Sequence, residues 1–291
     1  MPELPEVETI RVGLNRLLPG KVIRDVSSDW AKSFPNSTSD VNQFLIGSEI
    51  LRVKRRAKVL LIELSSEYSL VTHLKMTGQL VYRAKNERFG AGHPNASLVG
   101  ELPDKSTRVT LSLDNGAKLY FNDQRKFGWM RLIPTVEVLN IDFMKKLGPE
   151  PLAASFNAKA FAQRLKKRPN TSAKAVLLDQ SVIAGVGNIY ADESLWGAKI
   201  HPNMQVRDLS SQKLSKLFQE LQFVLKLSIA KGGSTDKNYV DAEGKRGSYL
   251  TFARVFRRES QACPRCSTII IKTRVAGRGT HLCPKCQKEP K

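Results

Sequence analysis

Cys263-Pro-Arg-Cys266 and, after sixteen intervening residues, Cys283-Pro-Lys-Cys286 hold every cysteine of this 291-residue chain. Four thiolates in two knuckles at this spacing suit tetrahedral Zn²⁺, and a closed set of four leaves no open coordination position. The expectation is one structural zinc that staples a hairpin too small to fold on its own core. A thioredoxin-like redox pair is the competing reading, but two pairs at ribbon spacing speak against it. No cysteine is left for a disulfide framework, which points to a reducing compartment. Between the knuckles lie Lys272, Arg274, Arg278, Thr280 and His281, and from Ser248 to Lys291 ten Lys or Arg stand against two Glu. A zinc-held basic hairpin suits phosphate or groove reading. The plainer alternative is a solvated charged face.

The local excess is part of a general one. Formal net charge is +20 and the sequence pI is about 10.0. A solvated surface needs no such imbalance, so a polyanionic partner is expected, nucleic acid ahead of membrane. There is no apolar run of spanning length, no signal-peptide core and no lipidation box, so the reading is a soluble, intracellular chain. The length allows two domains with separate cores.

Working towards the N-terminus, residues 156–230 have helical periodicity, with Leu214, Leu217, Leu221, Val224 and Leu225 as one apolar stripe. Gly185-Val186-Gly187-Asn188 precedes Ile189-Tyr190-Ala191-Asp192-Glu193. That predicts a tight turn feeding a helix N-terminus, whose N–H groups suit an anion; a plain helix–helix turn fits equally well. Before Pro134 the pattern is mostly β. Ile50 to Leu64 and Leu70 to Tyr82 read as strand pairs, and Asp114-Asn115-Gly116 is a hairpin turn between Val109–Leu113 and Lys118–Phe121. Residues 84–106 read as a long loop. Val7, Ile10, Leu14, Leu17 and Leu18 predict one amphipathic helix ending at Pro19-Gly20.

The first eight residues, Met1-Pro2-Glu3-Leu4-Pro5-Glu6-Val7-Glu8, open that helix. Pro in the first turn and acids at the positive dipole end explain them as a plain helix start. A chemical reading stands beside it. If Met1 is removed, Pro2 presents a secondary amine that can attack a carbonyl-level carbon to give an iminium. Glu3, Glu6 and Glu8 are then nearby proton carriers.

The opening PELPEVETIR, the internal IAGVGNIYADESLW and the terminal CPRC…GRGTHLCPKCQK together resemble the formamidopyrimidine-DNA glycosylase family, bifunctional base-excision enzymes for oxidised purines. The motifs lie at the beginning, middle and end, so the resemblance covers essentially the whole chain. It implies an α+β fold: an N-terminal β-sandwich with flanking helices, then a helix–two-turn–helix domain carrying a four-Cys zinc finger, with DNA in the cleft between them. The expected divisions are a catalytic sandwich 1–134, a linker 135–155, the helical DNA-binding domain 156–231, a lesion-recognition loop 232–249 and a zinc finger 250–291.

Roles follow from the same resemblance. Pro2 is the implied nucleophile at C1′ of the damaged nucleotide and Glu3 the acid/base group. Glu6 supports the N-terminus. Lys58 in Arg-Arg-Ala-Lys is assigned to phosphate contact and β-elimination, and Arg278 to phosphate grip and δ-elimination. Asn188 and Lys174 match DNA-backbone ligands. Met76 matches the residue that fills the void left by the everted base. Arg125 and Phe127 match the residues that face the orphaned base and wedge the opposite stack. On residue type alone, Met76 and Phe127 read as core. Cys263, Cys266, Cys283 and Cys286 are the implied ligands of one Zn²⁺.

Two departures stand out. Where the family often has His-Asp-His, this chain has Ser106-Thr107-Arg108 after an apparent insertion holding His93, and Arg108 is the expected replacement phosphate ligand. The DPRRFG stretch reads DQRKFG. The four histidines form no metal or triad pattern, and His73 and His201 read as structural. The expected partner is double-stranded DNA with oxidised bases or abasic sites, met by a monomer, cytoplasmic and nucleoid-associated if bacterial. The rivals are an endonuclease VIII-like glycosylase for oxidised pyrimidines, a catalytically silent damaged-DNA-binding protein and a generic zinc-ribbon module.

Overall fold

The computed structural model describes residues 2–93, 95–234 and 249–290. The chain forms two compact units: residues 1–145 with 231–248, and residues 146–230 with 249–291.

The first unit runs through α1 (Leu4–Leu17), β1 (Ile23–Ser28) and the short α2 (Thr38–Asp40), which continues into a π-helical turn. Then follow β2 (Ile50–Arg56), β3 (Val59–Leu64), β4 (Tyr68–His73), β5 (Gly78–Arg83), β6 (Arg88–Gly92), β7 (Thr107–Leu113), β8 (Lys118–Asp123) and β9 (Trp129–Pro134). A 3₁₀ segment, Thr135–Asn140, leads to α3 (Asp142–Lys145). The strands make two antiparallel sheets, ordered β1-β7-β8-β5-β6 and β2-β3-β4-β9. Buried side chains of both sheets and of α1 form one core, so this is a β-sandwich with the helix built into it.

Helix α1 packs against β2 and β6, one edge strand from each sheet. It thereby covers two edges that would otherwise offer unpaired backbone groups. Strand β6 falls inside the stretch 84–106 expected to be a loop. Phe89-Gly90-Ala91-Gly92 reads as breaker-rich in isolation, but pairing with β5 from Gln79↔Gly92 to Arg83↔Arg88 makes it a strand. A Cβ on Gly13 of α1 would lie 2.2 Å from the Phe89 ring, so the helix approaches this strand only because residue 13 has no side chain.

The second unit holds α4 (Ala158–Lys166), α5 (Ala173–Leu178), α6 (Asn188–Gly197), α7 (Ser211–Ala230) and α8 (Tyr249–Phe252), then the hairpin β10 (Ile271–Val275) and β11 (Arg278–Leu282). Asn157 and Ser172 cap α4 and α5 with their side-chain oxygens. The expected Leu214–Leu225 stripe is buried among α4, α5 and α6. Among the described residues, no helix is long and apolar enough to cross a membrane.

Candidate functional site

Pro2 and Glu3 are buried, Glu3 at 3% exposure. Glu3 is the N-cap of α1, and Glu6 Oε2 accepts its N–H at 2.9 Å in a capping-box arrangement. Glu6 Oε1 accepts the N–H of Ser234 at 2.8 Å. One carboxylate therefore ties the start of the helix to the chain just after Gly233. Of the expected lesion loop 232–249, residues 235–248 lie outside the described residues, as does Met1.

Lys58 follows Ala57 in the two-residue turn between β2 and β3, and is 7% exposed. Ala57 has φ 52°, the left-handed region, so the turn is held in a conformation it would not choose alone. Arg55 supplies the hold. It donates to the Ala57 carbonyl at 2.8 Å and to Glu8 Oε2 on α1 at 2.8 Å. Glu8 also pairs with Arg11. Burial raises the Glu8 pKa, but the hydrogen bonds from Arg11 and Arg55 outweigh it and hold the carboxyl below its ordinary 4.5. Glu8 is thus a fixed anion that anchors the Lys58 turn to α1, rather than the proton carrier its sequence position suggests.

His73, expected to be structural, sits near the same charges. Burial, then the neighbouring charges of Lys75 and Lys58, push its pKa down to about 3. Its Nδ1 accepts the Lys75 N–H at 3.0 Å, so the neutral ring carries its proton on Nε2, where it is a donor.

Met76 is half-buried in the turn from β4 to β5, and Arg125 and Phe127 are exposed in the loop from β8 to β9. Both connections cross from one sheet to the other. The Arg125 guanidinium lies over the Phe127 ring at 4.7 Å, and Lys126 lies over Trp30 at 4.3 Å. Phe127 is 52% exposed, an outlying position for a phenylalanine and the reverse of the core placement its residue type suggests.

Two expected DNA ligands are turned inward. Arg108 is 3% exposed: Nε donates to the Asp123 carbonyl at 3.0 Å, and the other nitrogens meet the Asp29 carboxylate and the Lys105 carbonyl. Its nitrogens are thus occupied by partners within the same unit, whereas the expectation is a phosphate ligand in place of the family histidine. Ser106 at the histidine position is also buried, bonded to Ser97 and Asp104. Lys174 is wholly buried in the second unit, 2.6 Å from Asp192 Oδ1 and 2.6 Å from Thr280 Oγ1. The expected role is that of a DNA-backbone ligand; here its charge is paired inside the protein. Asn188, at the start of α6, donates to the Gly279 carbonyl at 2.9 Å. With Arg257, Lys272 and Gly279 it lines an open pocket of about 450 Å³.

These contacts grip the zinc hairpin. Asp192 Oδ2 accepts the His281 N–H at 2.9 Å, so Lys174, Asn188 and Asp192 together hold residues 279–281. Ala276 and Gly277, at φ 50° and 72°, form the two-residue turn of β10-β11 and leave Arg278 exposed at its tip. The four cysteine sulfurs lie within 4.8 Å of one another, with Cys266 3.4 Å from both Cys283 and Cys286. Zinc–thiolate bonds of about 2.3 Å in a tetrahedron require sulfurs roughly 3.8 Å apart, so the cluster fits one closed structural zinc. Hydrogen bonds from the Thr268 side chain and N–H hold the Cys266 thiol down at about 6, while burial pushes the Cys283 and Cys286 thiols up.

Residues 1–130 match the family model described as the formamidopyrimidine-DNA glycosylase N-terminal domain, and residues 147–239 match its H2TH domain. Residues 260–288 match a zinc finger found in FPG and IleRS. The chain belongs to the formamidopyrimidine-DNA glycosylase family. Curated family members from Herpetosiphon aurantiacus and Pediococcus pentosaceus are 42% and 39% identical, over 99% of this chain and 100% and 99% of theirs. Crystal structures of Lactococcus lactis Fpg with DNA containing an abasic site, and of an FPG mutant with DNA containing Fapy-dG, match with a TM-score of 0.87 each at 32% and 33% identity. They cover 99% of this chain and all of theirs.

Within this glycosylase fold, sequence reasoning missed three groups. Asp123, Asp192 and Glu193 are wholly buried carboxylates that organise loops. Glu193 accepts the N–H groups of Arg254, Val255 and Phe256 at 2.9–3.0 Å. The Leu-Trp end of the ADESLW motif marks α6 as buried, but nothing local marks an acid for burial.

Proposed function

We propose that this chain excises oxidised purines, formamidopyrimidines and 8-oxoguanine, from duplex DNA and then cleaves the abasic strand. The observation that carries it is the start of α1. Pro2 is buried directly before Glu3, the N-cap of a rigid helix, and the Lys58 turn is tied to the same helix through Arg55 and Glu8. The substrate class comes from the relatives, which are named for formamidopyrimidine-DNA or bound to Fapy-dG, abasic-site and 8-oxo-G DNA.

With Met1 removed, the Pro2 nitrogen has a lone pair and attacks C1′. Glu3 delivers a proton to the sugar oxygen as the ring opens, and the base leaves with its bonding pair. The iminium that remains acidifies C2′, and loss of that proton expels the 3′ phosphate in β-elimination. Lys58 supplies a cation for the neighbouring phosphate, and His73 Nε2 a neutral donor. Arg278 serves the second, δ-elimination and grips the backbone, while Met76, Arg125 and Phe127 fill and wedge the stack that the base has left. Zinc holds the hairpin that presents Arg278 and takes no part in bond making. Given bacterial relatives, we place the enzyme in the cytoplasm, on the nucleoid, as a monomer.

Borohydride trapping on an 8-oxoguanine duplex tests the nucleophile. The parent forms a covalent adduct efficiently, and Pro2→Gly reduces it to the background of other amines. An adduct retained at full level in that variant would remove Pro2 from the reaction. Faster excision of thymine glycol than of 8-oxoguanine would instead favour the endonuclease VIII-like reading.

A further inference from the structure

We infer that Thr77 and Asp123 are positioning residues that lock the Met76 turn to the Arg125–Phe127 loop, so that void filler and wedge enter the duplex as one unit. The inference rests on the duplex-facing reading of Met76, Arg125 and Phe127.

Asp123 ends β8 and is wholly buried. Its Oδ1 receives the Thr77 hydroxyl and the Arg125 N–H at 3.2 Å. Its Oδ2 receives the N–H groups of Phe127 at 2.8 Å and Gly128 at 2.6 Å. Four donors converge on one carboxylate, which is how a buried charge is made tolerable. An amide in its place would turn two N–H donors towards these donors. The loop is shaped for the purpose. Lys126 takes a left-handed φ of 58°, folding the chain back so that N–H groups on both sides of it face the carboxylate. Gly128 lets it close: a Cβ there would lie 2.7 Å from the Phe121 ring and 3.1 Å from Asp123 Oδ2.

Thr77 makes the link between the two connections. Its hydroxyl donates to Asp123 and also accepts the Arg125 N–H at 3.1 Å. It is buried and directly follows Met76. Thr77 therefore joins the β4–β5 turn to the β8–β9 loop at the level of the backbone, leaving Arg125 and Phe127 exposed above.

The test compares excision from an 8-oxoguanine·cytosine duplex with strand cleavage of a single-stranded abasic oligonucleotide, which has no opposite stack to wedge. Thr77→Val lowers the duplex-to-single-strand rate ratio about tenfold, the scale of one hydrogen bond to a charged group. Thr77→Ser restores it to within about twofold, since the hydroxyl returns. Phe127→Ala lowers the ratio in its own right. A Thr77→Val ratio equal to the parent's, beside a lowered Phe127→Ala ratio, overturns the coupling; equal loss on both substrates reduces Thr77 to a structural role and overturns it too. An unchanged ratio in Phe127→Ala overturns the wedge reading, and the coupling with it.

Discussion

Asp123 in the sandwich unit and the Lys174–Asp192 pair in the helical unit are all wholly buried charges, yet they hold their surroundings in different ways. Around Asp123 the partners are a hydroxyl and three backbone N–H groups of short connections, and both sheets stand behind them on a large apolar core. The core gives the shape, and the carboxylate aims two loops within it. The Lys174–Asp192 pair finds its further partners in the zinc hairpin. Of its ten strand residues only Val275, Thr280, His281 and Leu282 are buried, and the apolar cluster beneath is small: Trp196, Val255, Ile270 and two cysteines. There the metal and the buried charges must supply what the core lacks.

Removing zinc breaks the comparison most severely. Binding of a structural zinc is worth roughly 10–16 kcal/mol at neutral pH. A strong chelator is expected to abolish hydrogen-exchange protection across residues 271–282 while protection in β3, β4 and β8 stays at the parent level. Parallel loss in the sandwich strands would show that the two units do not hold themselves separately.

Lys174→Met is the next largest. It leaves Asp192 buried without its cation, a loss of about 3–5 kcal/mol in denaturant unfolding. Lys174→Met with Asp192→Asn is expected to recover more than half of it. The same variant tests whether Lys174 contacts DNA. At a salt concentration where the protein is folded, the slope of log affinity for DNA against log salt stays at the parent value, whereas Arg278→Ala lowers it by about one. A drop of that size in the lysine variant would return Lys174 to the phosphate backbone.

Per unit of pH, the smallest effect is a stability slope in the sandwich unit. His73 has its pKa lowered from 6.5 to about 3 by burial and by Lys75 and Lys58. Between those values the unfolded chain binds a proton that the folded chain refuses, so stability rises with pH there, by about 1.4 kcal/mol per unit. The contribution is complete above 6.5 and lost as pH falls towards 3. His73→Gln should flatten the denaturation profile across that window relative to the parent; an unchanged profile would mean the imidazole titrates normally.

Much of this was legible locally. The cysteine spacing specified a metal site, and the β7–β8 hairpin lay open in Asp114-Asn115-Gly116. The buried face of α7 followed from leucine spacing, and the pairing of Pro and Glu at the helix start followed from capping rules. Strand β6 was not legible, because Gly90 and Gly92 mark breakers until β5 supplies hydrogen bonds and Gly13 makes room for Phe89. Phe127 is the opposite case: its residue type indicates core, and the resemblance alone places it outside.

What the sequence determined by itself is which groups are present and how near neighbours are arranged: four thiols at ligand spacing, an imino acid and carboxylates opening one helix, and a strongly basic surface. Only the tertiary structure decided which charges that surface keeps. Arg108 meets Asp29 seventy-nine positions away, and Lys174 meets Thr280 at a separation of one hundred and six. The physical reason is that periodicity and spacing report contacts along one element. Whether a charge is buried depends on the partners that compensate its lost hydration, and those arrive from elsewhere in the chain.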